Sequence, residues 1–326
     1  MTDIIILLST LAFSIILGYL MLPLLKRLNL SGHTIRNDGP KSHLKKLGTP
    51  LMGGFIFILP VFAGSIVYAI AAKDTRILLM GFSTLVFGAV GFLDDYVKIL
   101  KKGKNGMGAK QKLILLGIVS TIFTIAAYIA GMLDGRLMIP YLGFGYYFDI
   151  GIFIIPFAVF VLVAVTNSVN LTDGIDGLAG TVTSIVLLLY IVITSLKSDW
   201  EYLNIFTIVL FSGIAGFLFF NWNPAKIFMG DSGSLALGGS VAMLALMTKT
   251  SLVLPVIGIV YFLEALSVII QVAYFKKTGK RVFRMAPLHH HFELTGKSEN
   301  MIVISFSLIT FSACVIGLLL MGIRPF

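Results

Sequence analysis

Apolar residues run along the chain in blocks of bilayer-crossing length, broken by short polar stretches. A span needs about 20 mostly apolar residues. By that rule helices fall near Ile4–Leu25, Met52–Ala72, Ile77–Leu93, Leu113–Leu133 and Ile150–Val165. The second half adds Leu178–Leu196, Leu203–Phe220, Ser234–Thr248, Leu252–Phe275 and Met301–Ile323. Ser234–Thr248 is short enough for a re-entrant segment, so charge has to decide whether it crosses. With ten crossings the loops alternate sides, and the 25 Lys and Arg residues divide 19 against 6. Basic residues collect in cytoplasmic loops, so the rich side is cytoplasmic. Deleting the short span would move the six basic residues between Lys276 and Lys297 outside. The expectation is an all-α polytopic membrane protein of about ten transmembrane helices, with both termini extracytoplasmic.

Composition agrees. The chain is 57% hydrophobic and 12% charged, with a mean hydropathy of +0.98, whereas a soluble domain carries about 25% charged residues. Its 326 residues would make two soluble domains, but here the spans use up the length, leaving a single integral membrane domain, 1–326. The single cysteine, Cys314, excludes an intrachain disulfide. Ile4–Leu25 lacks a basic leader and a small-residue cleavage site, and reads as a retained helix. The basic balance follows from the topology and gives no reason to expect nucleic acid as a partner; a basic cytoplasmic face suits anionic headgroups and anionic substrates.

The acidic residues carry the chemistry. Asp94 and Asp95, Asp173 and Asp176, and Asp231 all fall at cytoplasmic helix ends, so distant segments meet at one membrane face. Carboxylates beside hydrocarbon-length segments are costly unless they face water, a metal or a ligand. In Thr166–Gly180 the pairs Asp173-Gly174 and Asp176-Gly177 repeat three residues apart, where a plain turn needs one. Asp94 and Asp95 point about 100° apart on a helix end, so one can address a metal and the other a substrate. Two Asp at a helix C-terminus are otherwise disfavoured by the helix dipole. Gly230-Asp231-Ser232-Gly233-Ser234 opens a helix whose free N–H groups favour phosphate, while Asp231 can hold a cation; the plainer alternative is an N-cap. Asp residues without clustered Cys or His fit a hard, oxygen-ligated ion such as Mg²⁺. Three consecutive His, His289, His290 and His291, cannot all face one metal from a regular helix; they either donate to phosphate or sit in a solvated loop. Lys45 or Lys46, near a helix start, can grip a pyrophosphate.

Four stretches taken together resemble the polyprenyl-phosphate N-acetylhexosamine-1-phosphate transferases. They are Asp94-Asp95, Asn170-Leu-Thr-Asp-Gly-Ile-Asp-Gly177, Phe228-Met-Gly-Asp-Ser-Gly-Ser-Leu-Ala-Leu-Gly238 and Pro287-Leu-His-His-His-Phe-Glu293. The resemblance covers essentially the whole chain in motif order. The His triplet and the Lys45-Lys-Leu-Gly-Thr-Pro50 run favour members using UDP-MurNAc-pentapeptide over a sister transferase using UDP-GlcNAc. Leu51 departs from the hydroxyl residue usual after Gly-Thr-Pro, which puts a direct role for that position in doubt.

The resemblance implies a Mg²⁺-dependent transfer of phospho-MurNAc-pentapeptide from UDP-MurNAc-pentapeptide to undecaprenyl phosphate, giving lipid I and UMP, in the bacterial cell membrane. It places Mg²⁺ on Asp231, Asp94 on the lipid phosphate and Asp95 behind it. It places Lys98 and Lys110 on phosphates, and Asn170, Asp173, Gly174, Asp176, Asn221 and Phe228 around the nucleotide. Lys46 and the His triplet close the pocket. The expected partners are the two substrates and the bilayer; with the oligomeric state open, they include a second copy of the chain. The rival class is a secondary transporter, whose best support is Glu264 and Gln271, seven apart inside one long span. Transporters bind near the midplane and often show repeats, and neither feature is visible here. The topology is directly testable: a cysteine at Gly279 is labelled by an impermeant reagent only from the cytoplasm, and one at Lys73 or Ser198 only from outside. Labelling of Gly279 from outside would remove the ten-span arrangement.

Overall fold

The computed structural model describes residues 2–27, 46, 48–101, 106–143 and 145–323. The basic residues Arg36, Lys41, Lys45, Lys102 and Lys104 lie outside the described residues. Long helices dominate: α1 (Thr2–Arg27), α2 (Phe55–Ala72), α3 (Arg76–Leu100), α4 (Ala109–Ile129), α5 (Ile154–Thr172), α6 (Leu178–Ser195) and α7 (Glu201–Asn221). Then come α8 (Gly230–Met247), a single turn α9 (Leu254–Ile257), α10 (Ile259–Thr278), the short α11 (Leu288–Leu294) and α12 (Glu299–Leu320). Between α4 and α5 lies a small antiparallel hairpin, β1 (Arg136–Met138) with β2 (Tyr147–Asp149), Leu137 facing Phe148. Among the described residues nine helices are long and apolar enough to cross a membrane, and α8 is not one of them.

Yet α8 is the axis of the molecule. Every residue from Ser232 to Met247 is buried, with α3 and α5 as its chief neighbours. It also spans the full height. Its first turn meets Lys112 at the start of α4, and just past its end Lys249 meets Asp134, beyond the end of α4. A helix of 18 residues rises about 27 Å, so it crosses rather than dips. The polar first turn, Gly230-Asp231-Ser232-Gly233-Ser234, weakens its apolar signature, and protein on all sides relieves it of the need to match lipid.

Small residues let α8 sit this deep. In a bilayer, helices associate through close packing rather than by expelling water, and small residues at the contact permit it. A methyl group at Gly91 of α3 would overlap the Asp231 carbonyl oxygen, and one at Gly54 would overlap the backbone of Gly233. Higher up, the Thr84 and Ser240 hydroxyls meet at 2.8 Å. The start of α1 and the end of α12 lie on the hairpin side. Leu320, closing α12, accepts from Tyr141 N in the hairpin loop, while Tyr19, late in α1, packs on Phe219 and Phe220 at the opposite end of α7. An even number of crossings requires this arrangement.

Two details depart from the expected spans. The helix expected over Leu252–Phe275 is broken at Gly258, which caps α9 and begins α10 with φ −100° and ψ 32°. The loop after it is not featureless, since it folds back as α11 carrying the His triplet. Gln271 holds that return, accepting from Val282 N and Phe283 N at 3.0 Å and donating to Phe283 O at 3.0 Å.

Candidate active site at the cytoplasmic face

A cleft of about 930 Å³ opens where α3, α4, α5 and α8 end or begin, walled by Asp94, Asp95, Lys98, Lys112, Asn170, Asp173 and Asp231. Lys98 sits at its centre. Its ammonium lies 2.8 Å from Asp94 Oδ2, 3.4 Å from Asp95 Oδ1 and 2.9 Å from Asp231 Oδ1. Positions 94, 95 and 98 share one face of α3 because three- and four-residue spacings do, and α8 supplies Asp231 opposite. Lys112 binds the other oxygen of Asp231 at 2.5 Å and Asn170 Oδ1 at 3.1 Å. Asn170 in turn donates to Asp231 Oδ1 and to Ser234 Oγ. Asp94 Oδ1 accepts from Met107 N at 2.6 Å, fastening the α3–α4 loop.

Asp95 plays a different part. It is fully buried, and its two oxygens accept from Asp231 N at 3.1 Å and Ser232 N at 3.0 Å. The first N–H groups of a helix lack partners inside the helix, and here a carboxylate from a neighbouring helix supplies them. This corrects the expectation that those N–H groups stand free for phosphate. Asp95 therefore positions Asp231.

The nucleotide-side expectations gather around a second ion cluster. Lys46 Nζ bridges Asp176 Oδ1 and Glu299 Oε2, both at 2.7 Å, and stands 6.0 Å over the Phe228 ring. Asp176 Oδ2 accepts from Ala225 N and Asn223 Nδ2, and Asn221 joins Gly177 N to Ile227 O. Asp176 and Asn221 thus tie the α5–α6 loop to the α7–α8 loop. Gly174 lies against His289, whose ring leaves no room for a side chain there. The triplet diverges as successive helical positions must. His289 and His290 face the cleft, His290 pairs with Glu293 at 2.7 Å, and His291 turns away to accept from Arg284 N.

Lys110 is exposed and off the cleft wall, while Lys112 reaches the site. Helical periodicity carries that signal: Lys112 falls in line with Leu116, Val119 and Phe123, the buried stripe of α4, whereas Lys110 lines up with exposed Ile114 and Ile118. Glu299 carried a weaker signal, an acid in the first turn after the N-cap Ser298. Leu51 is buried in the cleft wall.

Asp94, Asp95, Asp173 and Asp231 face the ammonium groups of Lys98 and Lys112, and Lys101 also lines the cleft. Burial, and then the charges of Asp231, Asp95 and Asp176, push the Asp173 carboxyl up to about 8. Asp94 and Asp231 offer carboxylate oxygens that a divalent cation would take in place of their contacts with Lys98. Among the described residues no three Asp, Glu, His or Cys side chains form a cage for an ion. A divalent ion such as Mg²⁺ typically takes one or two carboxylates and leaves its other positions to water and phosphate. Because the folded state raises the Asp173 pKa from 3.8, the stability it contributes is full below about pH 4 and lost as pH rises through about 8. Asp173→Asn removes that loss. Without a divalent cation it is expected to raise the thermal midpoint more at pH 8 than at pH 5, and added cation is expected to narrow the difference. An equal effect at both pH values would contradict this electrostatic picture.

The comparisons with known proteins point the same way. Residues 77–249 match the model of glycosyl transferase family 4. Phospho-N-acetylmuramoyl-pentapeptide-transferase of Acetivibrio thermocellus is 48% identical over 306 residues, covering 94% of this chain and 91% of its own. The transferase of the same name from Clostridium perfringens strain 13 is 49% identical over 302 residues, covering 93% of each, and that of Caldanaerobacter subterraneus is 46% identical over 300 residues, covering 92% of each. With the family model over more than half its length and such relatives over nearly all of it, the chain belongs to the phospho-N-acetylmuramoyl-pentapeptide-transferase family.

Proposed function

We propose that the cleft transfers phospho-MurNAc-pentapeptide from UDP-MurNAc-pentapeptide to undecaprenyl phosphate, with Mg²⁺ held at Asp231 and each end of the cleft assigned to one substrate. The chain is a multi-pass membrane enzyme of peptidoglycan synthesis, a glycosyl-1-phosphate transferase. The observation that carries the proposal is the convergence of Asp94, Asp231, Lys98 and Lys112 at a membrane face, where a lipid phosphate and a soluble diphosphate can meet.

In this reading an oxygen of the lipid phosphate attacks the sugar-bearing phosphorus of the donor. The bond from that phosphorus to the bridging oxygen breaks, and the electron pair leaves with UMP. Phosphoryl transfer is mainly positioning and charge stabilisation. Asp94 orients the lipid phosphate and takes any proton it carries, and Lys98 beside it compensates the incoming charge. Lys112 and Asn170 hold Asp231 in place and reach the donor phosphates. Mg²⁺ on Asp231, when bound, neutralises charge shared between phosphate groups. At the other end Phe228 offers a face for uracil, and Lys46, fixed by Asp176 and Glu299, offers an ammonium. Asp173 and Gly174 line the path between the two ends. Asp176 and Asn221 build the nucleotide end by shaping its loops. A transporter is disfavoured because Glu264 and Gln271, its best support, are engaged in holding the α10–α11 return.

Purified protein with Mg²⁺, undecaprenyl phosphate and UDP-MurNAc-pentapeptide is expected to release UMP and form a lipid-linked product, and to release none with UDP-GlcNAc. The reverse preference would make it the sister transferase. Within the active enzyme, Asp94→Asn is expected to lower kcat by about 10²-fold or more, the usual worth of a positioned base, with uridine-ligand affinity kept. Asp176→Ala is expected to weaken uridine-ligand binding by roughly 1.5–3 kcal/mol, the range for losing the charged hydrogen bonds to Lys46 and Ala225 N that shape the nucleotide end. Equal loss of binding in both variants, read by calorimetry, would overturn the two-ended assignment.

A further inference from the structure

Glu299 opens α12, just after Ser298, whose hydroxyl caps the helix by accepting from Met301 N at 3.3 Å. One oxygen of its carboxylate, Oε2, accepts from three segments far apart in the chain. They are Lys46 Nζ at 2.7 Å, Asp176 N at 3.1 Å and Asn223 Nδ2 at 3.3 Å. The Glu299 side chain is 9% exposed, and a carboxylate so nearly buried is costly unless it is paired and hydrogen-bonded. These contacts meet that need, but they do not place Glu299 in the cleft. It lines a second cavity of about 400 Å³ together with Asn223, Lys297 and Asn300, and that cavity shares Lys46 and Asp176 with the cleft. The Lys46–Asp176 pair is the partition between the two, and Glu299 stands behind it.

We infer that Glu299 is a positioning residue for the nucleotide end: from behind the partition it fixes the Lys46 ammonium and the Asp176 peptide so that both meet the uridine part of the donor. This rests on the transferase reading above. Lysine carries a compact charge on a flexible four-carbon stem, so one carboxylate alone leaves the ammonium much of its freedom. Two carboxylates give it a direction. Of its three N–H groups, Asp176 Oδ1 and Glu299 Oε2 take two, both at 2.7 Å. Among the described residues the third is left for a ligand in the cleft, where the Phe228 ring lies 6.0 Å from the ammonium. An ammonium already compensated by two carboxylates suits an uncharged acceptor, such as a carbonyl oxygen of the base, better than a phosphate. The diphosphate is then left to the Lys112 end of the cleft. Asp176 is steadied by the same residue: Glu299 takes its N–H, while Lys46, Ala225 N and Asn223 Nδ2 hold its carboxylate. In this way α12, which contributes no residue to the cleft wall among those described, enters the site.

The test uses the full-length protein in detergent with Mg²⁺ present and UMP as the probe, and compares wild type, Glu299→Gln and Glu299→Asp by calorimetry and steady-state kinetics. Glu299→Gln keeps the size of the side chain and removes its charge. It is expected to weaken UMP binding by about tenfold or more, the worth of a hydrogen bond to a charged group. KM for the UDP-linked donor is expected to rise by a similar factor, with kcat and the KM for undecaprenyl phosphate little changed, as loss of uniform binding predicts. Glu299→Asp, with its charge on a shorter stem, is expected to retain part of the affinity. Because the effect runs through Lys46, adding Glu299→Gln to Lys46→Met is expected to cost little, since residues in one ion network do not act additively. A merely structural role would lower kcat and the thermal midpoint together and show no such coupling. UMP binding as tight as wild type in a folded Glu299→Gln protein, a fall in kcat at unchanged KM, or losses that add in the double variant would overturn the inference. If Glu299→Gln does not fold, unchanged UMP affinity in Glu299→Asp overturns it instead. Failure of the underlying reading would look different: wild type itself would bind no UMP and release none from the donor.

Discussion

The architecture depends on the capping of one helix by another. Asp95, on α3, accepts the first backbone N–H groups of α8, and α8 can be reached because Gly91 and Gly54 bring its neighbours' backbones close. A helix start buried without partners is costly, and an unpaired carboxylate in the same place would be costlier still. Each resolves the other. The result fixes Asp231 one residue into α8, within 2.9 Å of Lys98 and 2.5 Å of Lys112. The adjacent acids of α3 thereby divide: Asp95 faces inward to hold the frame, and Asp94 faces the cleft, where Lys98 and Met107 N meet it.

Electrostatics shapes the rest. The cleft packs acidic and basic groups from α3, α4, the α5–α6 loop and α8 against one another. At the opposite end Lys46 is shared by Asp176 and Glu299, and backbone and amide donors complete Asp176. The two ends therefore differ in kind. One is a knot of acidic and basic charge partners, and the other is a hydrogen-bonded frame that presents an aromatic ring and one ammonium.

Much of this was legible in the sequence, because membrane spans and polar clusters at their ends leave strong local signals. The span count could be read from apolar runs and from the 19-to-6 division of basic residues, which kept α8 as a crossing although its own hydropathy is marginal. What periodicity could not supply was the partner of each polar group. Asp231-Ser232 read as a free helix start because nothing local reveals a carboxylate arriving from α3. The loop partners of Asn221 and Asp176, namely Gly177, Ile227, Ala225 and Asn223, are set by tertiary structure and leave no local signal. The place of Lys112 in the cleft is legible from the sequence, since the buried stripe of α4 runs through it, whereas Lys110 falls on the exposed face. Glu264 stood out in the sequence as an acid in a span, but its partner, His289, lies 25 residues on in a loop whose fold no periodicity foretells.

The central claim is that Asp231, held by Asp95 at the head of α8, is the seat of a divalent cation. Manganese can stand in for Mg²⁺ and is read directly by electron paramagnetic resonance, so the decisive measurement is a Mn²⁺ titration of the full-length protein with UMP present. Wild type should bind one Mn²⁺ per chain in competition with Mg²⁺. Asp231→Asn should lose that binding, and Asp95→Asn should weaken it by loosening the start of α8. Unchanged Mn²⁺ binding in a folded Asp231→Asn protein would contradict the account.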